Sequence, residues 1–138
     1  MTPRLVANLM ALALLQAPAI AADKPFTGSF QGQGRGCWGK LYVKTRTIEW
    51  NTPYSVCAKT TYAIIGKDLD SASPRIAFAL DRRSKSCRYT VVELSFDPAY
   101  PDYWHARGFV SRTDYDSREK PDEGVRLRTL SCGVQRED

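Results

Sequence analysis

The sequence predicts an all-β protein, a small antiparallel β-barrel or sandwich of seven to eight short strands stapled by two disulfides. Three observations carry this. Short runs of alternating apolar and polar residues recur between clusters of glycine, proline, aspartate and serine; no long stretch keeps a helical period; and the chain has four cysteines. A closed barrel is preferred over a sandwich, because successive strands are joined by short turns and closure removes exposed edges.

The chain of 138 residues begins with Arg4, an apolar run from Leu5 to Leu15 relieved by Asn8, and small residues at Ala17, Ala19, Ala21 and Ala22. That is the pattern of a secretory signal peptide cleaved after Ala21 or Ala22. The run is too short for a bilayer of about 30 Å, and no later segment approaches roughly 20 apolar residues, so no transmembrane segment is expected. No cysteine stands at the cleavage site to take a lipid. Residues 1–21 are thus expected to be removed, leaving 22–138 as a single β domain. All four cysteines fall in that part, which points to an oxidising, periplasmic or secreted location. There is no N-x-S/T sequon, since Asn51-Thr52-Pro53 lacks the final hydroxyl, and this favours a bacterial periplasm.

The first strand lies within residues 25–33, with Phe26 and Phe30 spaced by glycine and serine. The glycines at 32, 34 and 36 match neither a dinucleotide nor a Walker fingerprint, and no helix-forming run follows them, so they mark a bent turn. Leu41 and Val43 then alternate with Lys40, Tyr42 and Lys44, and Ile48 and Trp50 with Thr47 and Glu49. A tight turn at Thr45 and Arg46 would set Val43 against Ile48, Leu41 against Trp50 and Tyr42 against Glu49, with matching faces. Residues 56–65 form a third extended run and 66–74 a polar loop. Residues 75–80 place Ile76, Phe78 and Leu80 on one face and Ala77 and Ala79 on the other, a strand suited to burial on both sides.

Residues 87–96 change phase at Val91-Val92, which suggests a bulge. Two prolines set a turn at 97–103, and 104–111 is the next strand, with Gly108 marking a bend or a close approach. Residues 113–120 suit one or two helical turns ended by Pro121. Residues 125–132 are expected as the closing strand, and the last six residues as a frayed tail. Four cysteines allow three pairings. Cys37 with Cys57 and Cys87 with Cys132 is the expectation, although a strict meander would set Cys57 two strands from Cys37, and bonded cysteines need Cα atoms within roughly 7 Å.

Without Arg4 the chain carries 19 basic against 15 acidic side chains, a net +4. So mild an excess permits an anionic envelope component or an acidic protein as partner and does not call for nucleic acid. No cofactor is implied. No CxxC pair exists and His105 is remote from every cysteine in sequence, so no metal site is expected. A serine hydrolase would have to use His105, beside Asp102, with no G-x-S-x-G turn, and a glycosidase pair could be drawn only loosely from Glu49, Glu93 and Asp97. No catalytic residue is assigned.

Two stretches are candidates for binding. Arg82, Arg83, Lys85 and Arg88 make a dense basic turn able to grip phosphate or carboxylate, or merely to be solvated. Tyr100, Tyr103 and Trp104 crowd around two prolines, either as recognition anchors or as a plug at the end of a barrel. The expected function is that of a non-enzymatic, monomeric, exported binding protein contacting an anionic envelope component or a protein. The alternative is a lipocalin-like small-molecule carrier, which would need a cavity not filled by Trp38, Trp50 and Phe78; an enzyme comes third. The likeness to lipocalin-like carriers, as to small periplasmic lysozyme inhibitors, is one of size and class alone and fixes no function.

Overall fold

Eight strands, β1 (Gly28–Gly32), β2 (Gly39–Val43), β3 (Thr47–Thr52), β4 (Ser55–Asp68), β5 (Arg75–Leu80), β6 (Val91–Phe96), β7 (Tyr103–Phe109) and β8 (Leu130–Arg136), run in sequence around a closed antiparallel barrel. The computed structural model describes residues 26–138, and the expected signal peptide lies outside them. β8 closes the barrel by pairing with β1 at Phe30, Gln31 and Gly32. Two short helices, α1 (Arg112–Asp116) and α2 (Glu123–Arg128), join β7 to β8. No helix among the described residues is long and apolar enough to cross a membrane.

Period-two alternation fills the interior. Leu41, Val43, Ile48 and Trp50 point inward from β2 and β3 in the register expected from their faces, Val43 opposite Ile48 and Leu41 opposite Trp50. Phe30, Ile76, Phe78, Val92, Leu94, Trp104 and Val134 complete the packing, each worth about 1.5–3 kcal/mol when fully buried. Phe26 and Phe96 pack on Trp104 at one end, and Tyr89 lies 5.8 Å from Trp50 toward the other. Gly108 is a close approach: a Cβ there would stand 2.7 Å from the Tyr89 ring and 2.9 Å from Trp50.

Ala77, Val91, Phe109 and Tyr115 form a second, smaller apolar cluster on the outside of the barrel. Tyr115 belongs to α1, so this helix covers the wall where β5 shows its alanine face. Here the expected bulge at Val91-Val92 is corrected. β6 keeps an unbroken register with both neighbours, and both valines are buried because Val92 faces the interior and Val91 faces Tyr115. The register shifts lie instead in the β3–β4 and β4–β5 ladders.

Two further expectations at the C-terminus are overturned. Residues 123–128 are helical, because the Asp122 side chain caps the Val125 N–H at 2.8 Å and Val125 alone is buried. The expected tail is strand through Arg136, since barrel closure needs β8 beside β1.

The disulfide pairing is also corrected. Cys37 bonds Cys132, with Cα atoms 5.7 Å apart, and Cys57 bonds Cys87, 4.4 Å apart. Closure brings β8 to the turn that follows β1, which delivers Cys132 to Cys37. The β5–β6 connection folds back along the start of β4, with Val56 N–H donating to the Ser86 carbonyl at 3.1 Å, and this sets Cys87 against Cys57.

Candidate functional site: a basic, apolar-studded barrel end

The up-and-down topology sorts the connections to two ends. The 33–38 turn, the 53–54 turn, the 81–90 connection and the return through α2 share one end; the 44–46, 69–74 and 97–102 connections share the other. The two binding candidates are thereby separated, the basic turn at the first end and the tyrosines at the second. The second end carries Lys44 and Arg46 against Asp70, Asp97 and Asp102, a net −1, in contrast to the four cations of the basic turn.

Arg82, Arg83, Lys85 and Arg88 are all exposed. The backbone that presents them is firmly held. Ser84 Oγ accepts from the Ala58 N–H and donates to the Val56 carbonyl, Arg82 N–H donates to Thr60 Oγ1, Arg88 N–H donates to Ser55 Oγ, and Cys87 is bonded to Cys57. Asp81 is occupied by the Thr61 hydroxyl. The ion pairs among the described residues lie elsewhere, which leaves the four cations of this turn facing solvent.

Around this turn stand apolar side chains that sequence reasoning did not single out. Tyr54, Arg88 and Leu127 border one cleft of about 150 Å³ together with Gly36, two residues before Trp38. Trp38, Tyr54 and Leu127 are 63, 68 and 79% exposed. Trp38, expected in the interior, is outside, and its parity was available: Leu41 and Val43 face inward, so 38, 40 and 42 face outward. Leu127 was hidden by reading α2 as strand.

The aromatic cluster divides. Trp104 is the plug, buried at the barrel end with its Nε1 donating to the Pro101 carbonyl at 3.0 Å, whereas Tyr100 and Tyr103 are exposed.

A polar groove of about 300 Å³ crosses the outer wall of β5 to β8, bordered by Arg75, Glu93, Ser95, His105, Arg107 and Ser131. Glu93 is buried between two guanidiniums, accepting from Arg107 Nε at 3.1 Å and facing Arg118 Nε at 3.4 Å. Oε1 is hydrogen-bonded to Arg107, whereas Oε2 and Arg118 Nε face each other as an ion pair that forms no hydrogen bond. His105 is exposed and paired in register with Ser95 and Gly133, whereas Asp102, Glu49 and Asp97 do not border this groove. Among the described residues no group of three potential metal ligands converges.

Comparison of the chain with protein-family models, with curated proteins and with solved structures returns no match.

Proposed function

We propose that this is a non-enzymatic, monomeric binding protein of the periplasm or the secreted fraction, which attaches to an anionic envelope component through the barrel end carrying Arg82, Arg83, Lys85 and Arg88. The observation that carries the proposal is the cluster itself: four exposed cations on a backbone fixed by a disulfide, by the N–H groups of Arg88 and Arg82 donating to Ser55 Oγ and Thr60 Oγ1, and by Ser84 Oγ donating to the Val56 carbonyl. A preorganised cluster loses little entropy on binding. The two disulfides are compatible with an oxidising compartment.

A carrier function is less well supported, because Trp50, Phe78, Phe30 and Trp104 occupy the barrel interior. The test compares the wild type with a combined Arg82→Glu, Arg83→Glu, Lys85→Glu variant in association with envelope fractions at low and physiological salt. Single exposed pairs contribute only about 0–1 kcal/mol, so the charges must be reversed together. Wild-type binding should weaken with salt and the variant should lose it; a folded variant that associates equally well at both salts rejects the proposal.

A further inference from the structure

We propose that the anionic component is a lipid bilayer surface, with Trp38, Tyr54 and Leu127 seated among the headgroups while the basic turn meets their phosphates. The inference rests on the reading of the basic turn given above and adds the apolar half of the contact. These side chains come from three separate connections, yet all stand at the barrel end that carries the cations. Tryptophan and tyrosine favour the membrane–water interface, where a ring is half apolar and half wet.

Leu127 decides between the sources of negative charge. Among the described residues it is the most exposed of the large apolar side chains, on a helix whose Val125 faces the barrel, and it borders the same cleft as Arg88. A hydrated acidic polysaccharide offers an aliphatic side chain nothing better than water, whereas a bilayer interface takes up the leucine and leaves the neighbouring Arg88 at phosphate level, Arg128 being held by Asp114. The charge balance at this end agrees. Arg35 and Arg126 are exposed on other connections of the same end, against the exposed carboxylates of Asp81, Asp122 and Glu123. Each basic residue held at an anionic membrane surface strengthens attachment about five-fold.

The experiment uses the mature protein with three probes: vesicles of phosphatidylcholine mixed with phosphatidylglycerol, vesicles of phosphatidylcholine alone, and soluble heparin. Trp50 and Trp104 are buried, so a blue shift in emission on adding vesicles reports Trp38. The wild type should sediment with the mixed vesicles and show that shift, and should do neither with phosphatidylcholine alone. The Trp38→Ala, Tyr54→Ala, Leu127→Ala variant alters only exposed side chains; it should bind mixed vesicles about ten-fold or more weakly and heparin unchanged. The Arg82→Glu, Arg83→Glu, Lys85→Glu variant should lose both. Heparin binding by the wild type without vesicle binding, or vesicle binding that the apolar variant retains, overturns the bilayer proposal and leaves the basic-turn reading standing. Binding to neither heparin nor mixed vesicles overturns both.

Discussion

Glu93 on β6 stands directly opposite Arg107 on β7, and its carboxylate accepts hydrogen bonds from both the Nε and an Nη of that guanidinium. The second carboxylate oxygen faces Arg118, which lies beyond α1, donates to the Tyr115 carbonyl and stacks over the Tyr115 ring at 4.1 Å. One buried carboxylate therefore ties the excursion between β7 and β8 to the barrel wall, beside the apolar contact of Tyr115 with Ala77, Val91 and Phe109. The same excursion ends in α2 and so positions Leu127.

Replacing Glu93 by glutamine should cost about 2–3 kcal/mol. Breaking a fully buried pair costs about 3–5 kcal/mol, but the Arg107 and Arg118 side chains keep 30 and 22% exposure and can be partly rehydrated. Urea denaturation measures the loss. A change within about 0.5 kcal/mol, typical of a surface substitution, would show that the carboxylate anchors nothing.

The two disulfides should differ in weight. Cys37–Cys132 spans 95 residues and Cys57–Cys87 spans 30, so in the chain-entropy model they contribute about 4.7 and about 3.6 kcal/mol. The Cys37→Ser, Cys132→Ser variant should melt at the lower temperature of the two double variants. Peptide mapping without reduction should recover Cys37 linked to Cys132; recovery of Cys37 linked to Cys57 would refute the arrangement.

Local pairing was legible in the sequence and long-range closure was not. The β2–β3 register followed from the alternation of Leu41, Val43, Ile48 and Trp50, and strand β5 from that of Ile76, Phe78 and Leu80. The cysteine partners depend on β8 meeting β1 across the whole chain, which no local pattern encodes. The double burial of Val91 and Val92 mimicked a bulge because the covering residue, Tyr115, belongs to a distant helix. At the candidate site the cations were visible as a cluster in sequence. Their apolar neighbours come from separate connections that only the closed barrel assembles at one end.

Gly108→Ala should destabilise the barrel by about 1–3 kcal/mol, the usual cost of overpacking a tight core. The added methyl would meet two buried rings, Tyr89 and Trp50, rather than the end of a flexible side chain. Gly133→Ala is the control on the neighbouring strand, because a Cβ there meets nothing within 4 Å. Equal melting temperatures for the two variants would show that the rings yield without cost.

Asp114 should titrate below its ordinary value of 3.8, chiefly because Arg128 donates to it from Nε and Nη2, each at 3.0 Å, while its burial pushes the other way. The pair links the first turn of α1 to the last turn of α2. A depressed carboxylate contributes stability that is fully present above its unfolded value and is lost as pH falls through the folded one. The link should therefore hold at neutral pH and loosen as acidification passes below about 3.8 toward the lowered value. Amide exchange in α2 should then rise before that of the barrel strands, since the pair holds the excursion and the core does not depend on it. In Arg128→Gln the Asp114 carboxyl should return toward its ordinary range and α2 should exchange faster even at neutral pH. Carboxyl resonances followed by NMR across the acid range measure both proteins, and an Asp114 that titrates at its ordinary value in the wild type would show that the two helices are not joined in solution.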